Sequence, residues 1–308
     1  MNIILFESGR GIPIYLECCL KQLRLFNPDI PVYIITDKIN LNCGLFKKYN
    51  IQPFDKDLYI CNEVHRRIHI EKVHRLISYY NKRPNNFWVI TTTRLVYIEM
   101  FMLKHKLEDV YHFESDVLLY YDLKDHNYKF KSLYKNLAIT TADDIHSMTG
   151  LLYIKNGASL ALMTQFFIDI LRKYGRTGLA AKYRWIRPNN VLNEMKLIRL
   201  YELHKGQEYL ANLPISPVGK YSEWYELFDS IFDCSWWGIY VGGDFSINPK
   251  EKRMNGYLWK TLINDPECGV IWKYDDKKRK VPYLHYDNKL IKINNLHIAS
   301  KYLELYTS

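Results

Sequence analysis

Glu114 and Asp116 stand one residue apart in a run that is otherwise mostly apolar, Val110-Tyr111-His112-Phe113 before them and Val117-Leu118-Leu119-Tyr120-Tyr121 after. Strand side chains alternate between faces, so in an extended segment this spacing points both carboxylates the same way. Two adjacent like charges are unfavourable unless a cation separates them. A hard divalent ion with oxygen ligands, Mg2+ or Mn2+, meets that need. An isolated Glu-x-Asp is ordinarily a solvated strand end. Here the apolar flanks place the pair where a core strand reaches the surface, and open α/β sheets bind their ligands at such edges.

A second cluster, Cys61, His65, His69 and His74, puts His65 and His69 on one helix face in a pattern zinc can use. The glutamate of an HExxH motif is absent, because Arg66 follows His65, and Arg67, Lys72 and Arg75 repel a cation. A solvated basic helix is the default reading. No nucleic-acid-binding motif accompanies it, so a nucleic-acid partner is not expected.

The elements that must carry these residues alternate in type along the first third. Asn2–Glu7 reads as a strand, Gly9-Arg10-Gly11 as a break, and a helix begins at Pro13 with Leu16, Cys19, Leu20 and Leu23 on one face. Asn27-Pro28-Asp29 ends it, and Val32–Thr36 is the next strand, closed by Asp37. This βαβ order predicts a parallel sheet with a right-handed crossover. Residues 62–83 read as a basic helix, Thr92 to His105 as a second helix feeding the strand that ends at Glu114. Leu137–Thr141 and Gly150–Ile154 are strand candidates. Ser159 to Lys173 is a helix closed by Gly175. From Gly178 aromatics, Gly and Pro become frequent and periodicity weakens. No polar linker or internal repeat divides the chain, so one continuous domain is expected, residues 1–155 forming one half and 156–308 the other.

The 308 residues suffice for a sizeable core, and 48% hydrophobic with 25% charged is ordinary globular composition. A formal charge of +10 favours anionic partners such as nucleotide diphosphates or acidic lipid head groups. The basic run Lys277-Lys278-Arg279-Lys280 follows Asp275-Asp276 and reads as a solvated turn. The 26 tyrosines and seven tryptophans suit ring-shaped ligands or an aromatic core equally. Cys18, Cys19, Cys43, Cys61, Cys234 and Cys268 form no CxxC pair, as expected for free thiols in a reducing compartment. With no signal-like start and no run long enough to span a bilayer, a cytoplasmic protein is expected, with membrane-surface contact as an option.

Taken together, the acidic strand end Glu114-Ser115-Asp116, the βαβ opening and the segment Asn294-Asn295-Leu296-His297-Ile298-Ala299-Ser300-Lys301 resemble the GT-A glycosyltransferases over nearly the whole chain. Leu213-Pro214, Ile231-Phe232-Asp233 and Tyr240-Val241-Gly242-Gly243-Asp244 resemble a further segment of some such enzymes. The resemblance implies a Rossmann-like mixed sheet flanked by helices, with a nucleotide-diphosphate sugar as donor and a carbohydrate or other hydroxyl as acceptor. It makes Glu114-Ser115-Asp116 a DXD-like motif, preceded by a helix starting near Arg94. Its first acid faces the ribose or the metal and its last binds the metal. His297 then completes the coordination of Mn2+ or Mg2+, and Lys301 contacts the diphosphate. The two share a face if their segment is helical. The chain departs from the pattern in having Glu for the first acid and Ala299 where a second His is common.

Such a transfer needs charge stabilisation on the departing phosphate, from a metal and a cationic side chain. Arg94 can reach the nucleotide or pin the acidic loop. Asp37, after the second strand, can bond a base or ribose hydroxyl, and Ser8, Gly9 and Arg10 can border the nucleotide. An inverting transfer also needs a general base, whereas a retaining one does not. Asp244, Glu194 and Asp233 are the candidates, Asp244 first because Gly242-Gly243 lets a ligand approach. Trp236 and Trp237 can stack on acceptor sugars, with Gly243 leaving room beside them. The alternatives are a sugar nucleotidyltransferase, whose Gly-rich, Lys-bearing N-terminal loop is missing, and a basic nucleic-acid-binding protein.

Overall fold

The computed structural model describes residues 1–61, 64–81, 86–183, 185–186, 191–242, 262–263 and 268–308. Its first half runs β1 (Asn2–Glu7), α1 (Leu16–Phe26), β2 (Val32–Thr36), α2 (Gly44–Lys48), β3 (Gln52–Asp55), α3 (Lys56–Cys61), α4 (Val64–Asn81), α5 (Asn86–His105), β4 (Glu108–Phe113), β5 (Val117–Leu119), α6 (Leu123–Leu133), β6 (Leu137–Thr141) and β7 (Ser147–Asn156). The second half continues with α7 (Gly157–Lys182), α8 (Glu194–Lys205), β8 (Leu210–Asn212), α9 (Tyr225–Phe228), β9 (Ser230–Ile231), α10 (Trp236–Gly242), β10 (Gly269–Tyr274), β11 (Lys280–Tyr286), β12 (Lys289–Ile293) and β13 (Asn295–His297).

β1 explains why the molecule has a layer on each side of its sheet. Its Ile3 and Leu5 are buried in one cluster with α1 and the C-terminal strands, while Ile4 and Phe6 enter another with α4, α5 and α7. A strand covered on both faces needs a near-continuous apolar run, which Asn2–Glu7 supplies. The main sheet has the order β3-β2-β1-β4-β7-β6-β8. β1 pairs in parallel with β2 and β4, as the βαβ order predicts, whereas β7 runs antiparallel to both β4 and β6. A second sheet, β10-β11-β12-β9, and the antiparallel pair β13-β5 complete the topology. The first of the two clusters joins residues from Ile3 to Leu303, so both halves share a core. Among the described residues no helix is long and apolar enough to cross a membrane.

Four local expectations are corrected. α1 begins at Leu16, because Pro13 instead closes a turn in which the Leu16 N–H donates to the Pro13 carbonyl at 3.0 Å. α5 begins at Asn86, which leaves Arg94 in its middle rather than at its start. Gly175 does not end α7. It kinks it, with φ 54° and ψ −175°, and the helix resumes to Lys182. Glycine adopts that conformation without a Cβ penalty. β7 extends beyond Gly150–Ile154 at both ends. Of the basic run at 277–280, Lys277-Lys278-Arg279 lie in the turn, as expected, and Lys280 opens β11. The Asp275 carboxylate accepts the N–H groups of Lys277 and Arg279 and pairs with the Arg279 guanidinium at 2.7 Å.

Candidate active site

The acid pair does not lie on a strand. β4 ends at Phe113 and β5 starts at Val117, so Glu114-Ser115-Asp116 is the tight turn between them, closed by the Val117 N–H donating to the Glu114 carbonyl at 3.0 Å. The carboxylates still converge, because the turn sits at the parallel-strand edge and β13 is laid against β5. β13 pairs His297 with Val117, and the Ile298 N–H donates to the Asp116 carbonyl at 2.9 Å. His297 Nε2 is thereby 3.2 Å from Asp116 Oδ2 and 3.3 Å from Glu114 Oε2. His297 and Lys301 are not on a helix. β13 gives way to a turn, with Lys301 at φ 66°, and this turn brings its ammonium onto Asp116 Oδ2.

Among the described residues, Glu114, Asp116 and His297 are the one group of acids, histidines and cysteines close enough to hold a metal, their ligand atoms all within 4.8 Å of one another. Two observations fit a cation there. Asp116 Oδ1 is buried with no hydrogen-bond partner among the described residues. His297 Nδ1 lies 2.6 Å from Ser235 Oγ, which leaves Nε2 as the nitrogen facing the acids. An imidazole and two carboxylates form a donor set that Mn2+ or Mg2+ accepts. The zinc alternative gains no such geometry. His74 is exposed on α4, and the side chains of Cys61, His65 and His69 lie outside the described residues.

Arg94 pins the turn, as one of its two expected roles requires. Its guanidinium bonds Glu114 Oε1 and, at 2.7 Å, Thr149 Oγ1, with Glu194 Oε1 3.8 Å away. Burial works against the charge on Glu114, but Arg94 and then His297 outweigh it and hold the carboxyl far below its ordinary range. Thr149, on β7, also donates to Glu114 at 2.9 Å. A cleft of about 310 Å³ opens in front of this assembly, lined by Glu7, Ser8, Tyr15, Arg94, the acidic turn including Ser115, and Lys301. Asp37 stands beside it and ties down the loop after β1. It accepts from the Gly9 N–H at 2.7 Å and Ser8 Oγ at 3.0 Å, and pairs with Lys56 at 2.6 Å. Arg10 is exposed on that loop.

The proposed bases and acceptor residues are placed less simply. Asp233 is fully buried, and its carboxylate accepts backbone N–H groups from Trp237, Gly238 and His297, each at 2.9 Å. That is a brace for His297 rather than an acid open to substrate. Glu194 is buried at the start of α8, where Thr91 Oγ1 donates to it at 2.6 Å, and burial pushes its carboxyl up. Trp237 is 0% exposed and packs edge-to-face on Tyr240, so it presents no face to a sugar. Trp236 is half-buried, its Nε1 donating to the Ala142 carbonyl at 3.3 Å. Gly243 and Asp244 lie outside the described residues. Thr149, Ser235, Glu7 and Tyr15 were not anticipated. Only Asp233 carried an overlooked sequence signal, as an Asp just before a helix where acids cap N–H groups.

No protein-family model and no curated protein sequence matches the chain. Solved structures do. Mouse xyloside xylosyltransferase 1, in its apo form, superposes with a TM-score of 0.50 at 9% identity, over 69% of this chain and 84% of that one. The fold is that of the GT-A glycosyltransferases. Weaker likenesses include the glycosyltransferase GlyE of Streptococcus pneumoniae TIGR4, with TM-score 0.39 at 16% identity over 69% of this chain and 45% of that one. The galactosyltransferase LgtC, in complex with donor and acceptor sugar analogues, gives 0.36 at 14% identity over 69% and 73%. In this chain the acidic turn after β4 lies at the carboxyl ends of the parallel strands β1, β2 and β4, the edge where open α/β sheets bind ligands, and Glu114, Asp116, His297 and Lys301 gather there.

Proposed function

We propose that this chain is a glycosyltransferase that moves a sugar from a nucleotide-diphosphate donor to a carbohydrate or other hydroxyl acceptor. The observation that carries the reading is the convergence of Glu114, Asp116 and His297 within 4.8 Å at the cleft edge, with Lys301 paired to Asp116. Glu114, Asp116 and His297 Nε2 would hold Mn2+ or Mg2+, which when bound supplies Lewis-acid stabilisation to the leaving diphosphate.

The chain's own groups do the rest. Arg94 and Thr149 keep the Glu114 carboxylate ionised and aimed. Lys301, set against Asp116 here, has the length and charge to turn to the β-phosphate once a divalent ion neutralises the acids. Ser8, Ser115 and Asp37 border the nucleoside, with the half at residues 1–155 supplying the donor wall and the half at 156–308 closing over it. Asp233 and Glu194 have carboxylates already engaged, so Asp244 remains the proposed base for an inverting transfer, with Trp236 beside the acceptor. A retaining transfer would need no base.

A panel of nucleoside diphosphates, titrated with and without Mn2+ while melting is followed, tests the assignment. Stabilisation that requires both the nucleotide and the ion is expected. Asp116→Ala should weaken this joint binding by roughly 100-fold or more while the far-ultraviolet spectrum stays native. Equal nucleotide affinity in the variant, or stabilisation indifferent to Mn2+, counts against the proposal.

A further inference from the structure

Ser235 occupies a backbone conformation that its side chain disfavours. It enters α10 at φ 78°, in the left-handed region where glycine carries no penalty and other residues do. The Ile239 N–H donates to its carbonyl at 2.9 Å, so the residue begins the helical hydrogen bonding. Glycine would serve that backbone at least as well. What serine adds is one hydroxyl, 5% exposed as a residue and 2.6 Å from His297 Nδ1.

Resting on the proposed metal-dependent reading, we propose that Ser235 is a positioning residue that sets the tautomer and ring angle of His297. An imidazole can ligate through Nε2 only if its lone pair is there, with the proton on Nδ1. Ser235 Oγ is placed to accept that proton, and the opposite nitrogen then faces Asp116 and Glu114 at 3.2 and 3.3 Å. Backbone position and ring orientation are controlled separately. Asp233 fixes the His297 N–H at 2.9 Å, whereas Ser235 touches only the ring. Gly150 completes the arrangement from β7, since a Cβ there would lie 3.0 Å from Nδ1 and crowd the ring. Partners of ligating histidines act in this way, orienting the ring and raising its basicity. Left-handed strain at such a point is held by its surroundings for function.

Ser235→Gly separates this role from a structural one, because the two move in opposite directions. Relief of the φ 78° conformation should leave the melting temperature unchanged or higher, while Mn2+ affinity, measured by calorimetry on the protein with Mn2+ alone, falls roughly 10- to 100-fold. Ser235→Ala, which keeps a side chain, should lose affinity to the same extent. In the Mg2+-loaded protein, nitrogen-15 spectra should give the Nδ1–H tautomer for wild-type His297 and a mixture in both variants. Mn2+ affinity within about threefold of wild type in Ser235→Gly, with an unchanged tautomer, overturns the assignment. Failure of the wild-type chain to bind Mn2+ or Mg2+ overturns instead the metal-dependent reading on which it rests.

Discussion

His297 is gripped on its ring, its N–H and its carbonyl by residues far away in sequence. Ser235 meets the ring, Asp233 takes the N–H, and Gly238 lies against the carbonyl so closely that a methyl group would overlap the oxygen. The clash would be with backbone and could not be relieved by a rotamer change. Gly238→Ala should therefore displace α10 from β13 and cost about 1–3 kcal/mol, as overpacking does. It should also remove Mn2+ binding in the folded fraction, read by melting and calorimetry together. Normal metal affinity in that variant would show that His297 tolerates a shift in its support. Of the ionisable members of the site, Glu114 and Asp116 could be read from their types and spacing, whereas Arg94, His297 and Lys301 came through the resemblance to a known family. Thr149 and Ser235 could be read from neither, since their bonds to Glu114 and His297 span 35 and 62 residues with no local pattern to mark them. Asp233 and Trp237 were misassigned for a related reason. A carboxylate or an indole reads the same from sequence whether it faces a ligand or the interior.

At the level of elements, β1, β2 and β6 have the limits expected of them, because short apolar runs next to polar or turn-forming residues such as Ser8-Gly9, Pro31, Asp37 and Asn136 leave little freedom. Helix ends were less legible. α5 starts before its apolar periodicity does, and α7 passes through Gly175 because packing on both sides of the kink outweighs the break. The second sheet was not foreseen, since its strands are short and lie in a region without regular alternation. α6 offers a pH test of how these late elements pack. His126 sits against Tyr121, Phe228 and Phe232, and burial, followed by the charges of Lys129 and Lys292, lowers its pKa to about 4. A histidine is neutral in both states above its unfolded pKa of about 6.5, so it makes no demand there. Between that value and about 4 the unfolded chain binds the proton and the folded one does not, and stability falls as the pH falls. The loss should approach about 2–3 kcal/mol near pH 4. Melting curves from pH 7 to 5 should have a shallower slope in His126→Gln than in wild type, and parallel slopes would refute the account.

Across the whole molecule the site depends on a closure between distant segments. His297 and Asp116 are 181 residues apart, joined through the β13–β5 pair, and Asn294, Asn295 and Leu296 are completely buried in that seam. Removing the chain from Asn294 onward would therefore strip a strand from the core as well as two site residues, so His297→Ala and Lys301→Met are the cleaner probes of the site. The same seam fixes the order in which a competent molecule can come into being. β1, β2 and β4 find their sheet partners, β7 included, within roughly the first half of the chain, whereas β5 must wait for β13. Contacts of such long separation carry the largest loop-closure cost and form late. During refolding, helical circular dichroism should recover in an earlier phase than the capacity to capture Mn2+, followed by stopped-flow paramagnetic quenching. Simultaneous recovery would mean that the seam belongs to the folding nucleus. If the phases separate, there is an interval in which the sheet has been assembled but cannot yet hold an ion, and the newly made chain stays inert until its last strand arrives.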